Sequence, residues 1–73
     1  MRIKTEDLRK GDIIFFSDDL YGDIVGIVTK IATSVISPEE LKVLVKYIEG
    51  DGIIEHYVLH APFDYEFSKV IRE

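Results

Sequence analysis

The chain has no cysteine and no tryptophan, only two prolines and a single methionine. Without cysteine there is no disulfide staple, no thiolate zinc site and no cysteine nucleophile. The same absence fits a reducing compartment. No apolar run approaches the roughly 20 residues that cross a bilayer as a helix. Met1-Arg2-Ile3-Lys4 leads straight into charged residues, with no apolar stretch of the signal-peptide kind. The expectation is a cytoplasmic protein with no membrane contact. Repeats, low-complexity tracts and Pro/Ser-rich linkers are also missing, so residues 1–73 read as a single domain.

Positive charge is in short supply. Nine Lys and Arg face fourteen Asp and Glu, a formal net charge of −5. A whole-surface footprint for DNA or RNA would be basic instead. The acids gather in expected loops, at Asp18, Asp19 and Asp23, at Glu39 and Glu40, at Glu49 and Asp51, and at Asp64 and Glu66. A solvated acidic surface keeps a small protein soluble.

Signatures of catalysis are absent as well. There is no Gly-rich phosphate loop, no nucleophile elbow and no Ser/His/Asp order. No two carboxylates stand out as a pair with opposed environments. His56 and His60 are four residues apart. On a strand that spacing separates them by about 13 Å, too far for one metal ion. Asp18, Asp19 and Asp23 lack the spacing and closing glutamate of a calcium loop. The sequence therefore predicts no enzyme, no metal site and no cofactor.

What the chain does have is 47% apolar residues, rich in Ile and Val. Leu8 is an apolar anchor among charges, and Gly11-Asp12 signals a turn. Ile13 to Phe16 reads as a strand, Ser17 to Asp23 as a loop. In Ile24 to Ser34, Val25, Ile27, Thr29 and Ile31 alternate with Ile24, Gly26, Val28 and Lys30, a strand pattern. Gly26 inside it suggests a bulge or bend. Ile53 to Leu59 forms a further strand. Ala61 to Glu66 is a turn-forming crossover with Phe63 expected to plug the core, and Phe67 to Arg72 is a closing strand.

Residues 38–49 carry two patterns at once. Ser37, Pro38 and Glu40 fit an N-cap, an N1 proline and a capping box. Leu41, Leu44, Val45 and Ile48 then form a helical stripe. The same residues alternate as a strand and run into Glu49-Gly50-Asp51-Gly52, a hairpin turn. The β-branched Val43 and Val45 and the ring of Tyr47 lower helix propensity, and a 12-residue helix is marginal alone. The strand is preferred. The fold class expected is mostly β, a small five-stranded barrel with at most one short helical turn. The alternative is α+β, with a helix at 38–49 packed on a small antiparallel sheet.

Asp7-Leu8 leading into Gly11-Asp12-Ile13-Ile14, the strand around Gly26, the hairpin at Gly50-Asp51-Gly52 and the closing Lys69-Val70-Ile71-Arg72 resemble small SH3-like barrels. Barrels of this kind occur in small proteins of bacteria and phages. The resemblance implies a binding module rather than an enzyme. The Ala-Leu-Tyr-Asp-Tyr motif of signalling SH3 domains is absent, so recognition of proline-rich peptides is not implied.

Two binding sites are expected. The first comprises Asp18, Asp19, Tyr21, Asp23 and Tyr65, acids and tyrosines offered to a protein partner. Carboxylates arranged there would imitate phosphates electrostatically, as in an acidic modulator of a cellular or host enzyme. The alternative is a single-stranded nucleic-acid face of Lys30, Lys42 and Lys46 beside Tyr47 and Tyr57. Pairing of an open sheet edge with a second copy is compatible with either.

Overall fold

The computed structural model of the chain describes residues 1–48 and 50–73. The elements in order are β1 (Ile3–Lys4), a 3₁₀ turn (Thr5–Asp7), β2 (Ile13–Asp18), β3 (Gly22–Thr33), β4 (Glu40–Ile48), β5 (Ile54–Pro62), β6 (Glu66–Phe67) and β7 (Val70–Ile71). Five strands form an antiparallel sheet in the order β5-β4-β3-β2-β7. β1 and β6 form a separate two-stranded ladder. The fold is mostly β, and the 3₁₀ turn is its only helical element among the described residues. The expected closure into a barrel is not made, because β5 and β7 stay unpaired with each other at the two edges. No helix among the described residues is long and apolar enough to cross a membrane.

Residues 40–48 are a strand, not a helix. β4 pairs along its length with β3 on one side and β5 on the other. Two ladders give Val43, Val45 and Tyr47 the pleated surface that β-branched and aromatic side chains fit. The capping residues make a turn instead, in which the Glu40 N–H donates to the Ser37 carbonyl at 2.9 Å. In the hairpin that follows, Gly52 takes φ 86° and the Asp51 carboxylate accepts from the Ile53 N–H at 3.0 Å. Glu49, the first residue of the expected turn, lies outside the described residues.

The alternation in β3 is broken once. The pairs Val28↔Val45 and Lys30↔Leu44 flank a register shift, so Thr29 is the extra residue of a β-bulge. Its hydroxyl donates to the Leu44 carbonyl at 3.2 Å. The bulge transfers Ile31 to the face of Ile24, Gly26 and Val28, and leaves Lys30 on the face of Val25 and Ile27. The ladder runs unbroken through Gly26, opposite Ile14 and Tyr47. Glycine is needed there for close approach. A Cβ at that position would lie 2.2 Å from Val45 Cγ1 and 3.0 Å from the Lys46 carbonyl oxygen.

One face of the sheet, with β1, β6 and the 3₁₀ turn folded over it, holds the core of Ile3, Leu8, Ile14, Val28, Val43, Val45, Ala61, Phe67 and Val70. Phe67, not Phe63, fills it. Phe63 sits in the turn after β5 and is exposed. The β2–β3 turn is also tighter than the expected loop, confined to Asp19, Leu20 and Tyr21.

Asp12 joins the two ends of the chain. It is buried, and Arg72 grips its carboxylate with two bonds, Nε to Oδ1 at 2.9 Å and Nη2 to Oδ2 at 2.8 Å. The Arg9 N–H adds a third at 2.9 Å. Arg72 Nη2 also donates to the Asp7 carbonyl at 3.0 Å. Gly11, at φ 96°, and Asp12 exchange backbone bonds of 2.8 Å with Val28. Arg72's hydrogen bonds hold the Asp12 carboxyl below its ordinary value, against the opposing effect of burial. A depressed folded pKa stabilises the fold above the unfolded value, near 3.8, and that stability is lost as pH falls through the lower folded value. Asp12→Ala is expected to cost about 3 kcal/mol, the low end for breaking a buried pair, since Arg72 keeps part of its access to water. Urea unfolding at pH 7 measures that loss. Repeated below pH 4, the difference between wild type and variant should shrink.

Candidate functional site

The site follows from an incomplete ladder. β5 hydrogen-bonds only to β4, so its other edge is unpaired over residues 54–61 among the described residues. β2 pairs with β7 only at Ile13 and Ile14, so Phe15–Asp18 have no strand on that side. Side chains bridge the gap between these two edges. The Phe16 and Tyr57 rings lie 5.3 Å apart, and the Tyr57 hydroxyl donates a short hydrogen bond to the Asp18 carboxylate. Beyond them a groove of about 420 Å³ opens, floored by Phe16, Leu59, Ala61, Pro62, Tyr65 and Phe67. Ser17, His60 and Ser68 contribute polar groups.

Tyr65 is the most prominent ring of this groove. Its ring stands edge-on to Phe67, 4.9 Å between centroids at 80°. Its backbone is fixed, the carbonyl accepting from the Thr5 N–H at 2.9 Å and the Thr5 hydroxyl at 3.1 Å. The side chain is nonetheless 51% exposed. A rigidly mounted aromatic with an apolar body and a polar tip suits an interface anchor.

The remaining acidic-site residues divide. Asp18 lies at the far end of the same seam, but its carboxylate is engaged. Besides Tyr57, it accepts from the Leu20 and Tyr21 N–H groups at 2.7 and 2.9 Å, an Asx turn that shapes the hairpin. Those bonds, Tyr57's first, lower its pKa. Asp23 accepts from the Ser17 hydroxyl at 2.7 Å. Asp19 and Tyr21 stand exposed at the hairpin tip, away from the groove. Two of the three aspartates expected to imitate phosphate are thus tied to donors within the chain.

The expected nucleic-acid face is split between two surfaces. Lys30, Lys42 and Lys46 point to the outer face, opposite Leu44, His60 and His56. Tyr47 and Tyr57 lie on the core face, opposite Gly26 and Val45. Stacking rings and phosphate-binding lysines therefore do not share a surface. His56 and His60 share the outer face, with the row of Val58 between them. No three His, Asp or Glu side chains converge on a metal-sized space among the described residues.

Sequence reasoning missed the seam because it depends on contacts distant in sequence. Tyr57 and Asp18 are 39 residues apart. Alternation in β5 does place Tyr57, Leu59 and Ala61 on one face, and that signal was present. No protein-family model, curated protein or solved structure matches the chain.

The Tyr57–Asp18 contact is open to titration. The Asp18 carboxylate, and to a lesser degree burial, push the Tyr57 phenol up from 10.0 to about 12. A phenol with a raised folded pKa stabilises the fold below its unfolded value and loses that contribution as pH rises towards the folded one. Between pH 10 and 12 the wild type is expected to lose more stability than Tyr57→Phe, as followed by thermal unfolding across that range. Equal losses would show that the hydrogen bond does not hold in solution.

Proposed function

We propose that the chain is a non-catalytic interaction module that accepts an extended peptide segment of a partner protein along the open side of its sheet. The observation that carries this reading is the unpaired edge of β5 beside an aromatic floor. Unpaired backbone groups at a sheet edge bind an added strand through main-chain hydrogen bonds, and pockets beside the edge select alternate side chains. Tyr65, Phe67 and Leu59 would take the apolar side chains of that strand. Asp64 and Glu66 flank Tyr65 in the sequence, and Glu55 lies towards the other end of β5. The partner segment is accordingly extended, apolar at alternate positions and basic at its flanks.

The arrangement is read as an SH3-like barrel left open at one seam. Its support is the anchor turn before β2, the four consecutive antiparallel strands β2–β5 with β7 added beside β2, and the crossover that returns over the core. Phosphate imitation by the 18–23 hairpin is less well supported, since Asp18 and Asp23 are engaged internally.

A random peptide library selected on the immobilised protein, followed by amide-shift mapping of the best binder, tests the reading. Shifts and slowed amide exchange are expected in Tyr57–Ala61 and Phe15–Ser17. Tyr65→Ala should weaken the selected peptide about tenfold, the usual effect of truncating an interface anchor. Binders that perturb only the outer face or the hairpin tip would refute the seam as the site.

A further inference from the structure

The outer face of the sheet is the second unusual surface. Antiparallel sheets with one solvated face normally present polar side chains there. Here one row across the strands reads Ile71, Ile13, Ile27, Lys46 and His56. The next row towards the β2–β3 turn carries the pairs Phe15↔Val25 and Ile48↔Ile54. Val25, Ile27, Ile48, Ile54 and Ile71 are each between 40% and 69% exposed. Apart from Lys46 and His56 at one end, and Lys69, whose Nζ lies 4.5 Å over the Phe15 ring, these rows form an aliphatic half-face near the two hairpin turns. The other half is cationic. Lys42 faces His60, Lys46 faces His56, and Lys30 lies beyond them around the apolar pair Leu44↔Val58. The two salt bridges found among the described residues, Arg2–Glu66 and Arg72–Asp12, involve none of these lysines.

We infer that the aliphatic half-face is the contact surface of a homodimer. The surface area supports a second copy as the occupant. The chain exposes 5191 Å², whereas a self-contained monomer of 8.4 kDa is expected to expose about 4,600 Å². The excess of about 600 Å² approaches the roughly 800 Å² per partner of a standard stable interface. The core is correspondingly small, and a domain of this size without disulfide or metal gains stability by burying a shared face. Charge then sets the register. Two cationic halves repel, so a two-fold arrangement lays aliphatic half on aliphatic half and turns the lysines of each copy outward to opposite ends. The contact is isologous and closed, as two-fold interfaces are. It is centred on Val25, Ile27 and Ile48, away from the groove, which opens at the seam and shares only Phe15 with these rows.

Sedimentation equilibrium on the full chain tests the inference. The expected mass is twice 8.4 kDa, and the dimer should persist as salt rises, because screening acts on charges and leaves apolar contact intact. Val25→Lys and Ile48→Lys should each return the mass to that of one copy with an unchanged circular dichroism spectrum. Both positions face solvent in the single copy, and a lysine stem can lie along apolar neighbours. Should a variant fail to fold, a soluble paramagnetic agent on the wild type decides the matter. Amides at Val25, Ile27 and Ile48 should be shielded at high concentration and attenuated on dilution. A single-copy mass at every concentration overturns the inference. So does a dimer that dissolves as salt rises, which would mean a charge-driven contact. A dimer that survives both lysine variants overturns it too, and would point to the β5 edge instead. Loss of the dimer with peptide capture retained separates this surface from the seam.

Discussion

The buried carboxylate of Asp12 is the constraint on which the rest of the sheet depends. Burying a charge in so small a protein is costly, and a bidentate guanidinium with further N–H donors is the geometry that offsets it. β7 is two residues long and has few ladder bonds of its own. Arg72, immediately after it, supplies the attachment. With β7 held against Ile13 and Ile14, the remainder of β2 is left without a strand beside it. The open seam is thus a consequence of where the C-terminal strand is pinned, not of a missing strand-forming sequence.

Much of this architecture was legible in the residues. Alternation identified the strands, Leu8 identified the anchor, and the glycines around residue 51 identified the hairpin. The choice of strand over helix for 40–48 was decided by Val43, Val45 and Tyr47, whose shapes favour a pleated surface. What alternation cannot register is an interruption of itself. The extra residue at Thr29 leaves no compositional mark, yet it decides which side Ile31 and Lys30 occupy. Gly26 was noticed for the wrong reason, since a glycine that admits a neighbouring valine looks the same in sequence as one that bends a strand. Phe63 and Phe67 have equal hydrophobicity, and only the position of the turn after Pro62 separates the exposed ring from the buried one. The expected acidic site is divided for a similar reason. Asp18 and Asp23 look available until their partners, a tyrosine from β5 and a serine across the hairpin, are brought to them by folding.

The two surfaces that remain differ in chemistry. The seam is aromatic, bordered by backbone donors and acceptors, and suited to a partner that brings its own main chain. The outer face is aliphatic at one end and cationic at the other, with no unpaired ladder within it, and is suited to another packed surface. An acidic protein that gathers three lysines and two histidines on one side has a strongly asymmetric charge distribution despite its modest net charge. Orientation during any encounter is governed by that asymmetry more than by the total.

The pairing of the chain's two ends has a consequence for how the protein is made. β1 meets β6, the Val70 N–H reaches the Met1 carbonyl, and Asp12 waits for Arg72, each across some 60 or more positions. During synthesis the first six residues therefore emerge with their distant partners still untranslated. The hairpins of β2 to β5 can zip from local contacts, but the core stays uncovered until the last strands arrive. Folds dominated by such distant contacts assemble slowly. The nascent chain accordingly passes through an interval in which its apolar surface is uncovered, until β6 and β7 close over it.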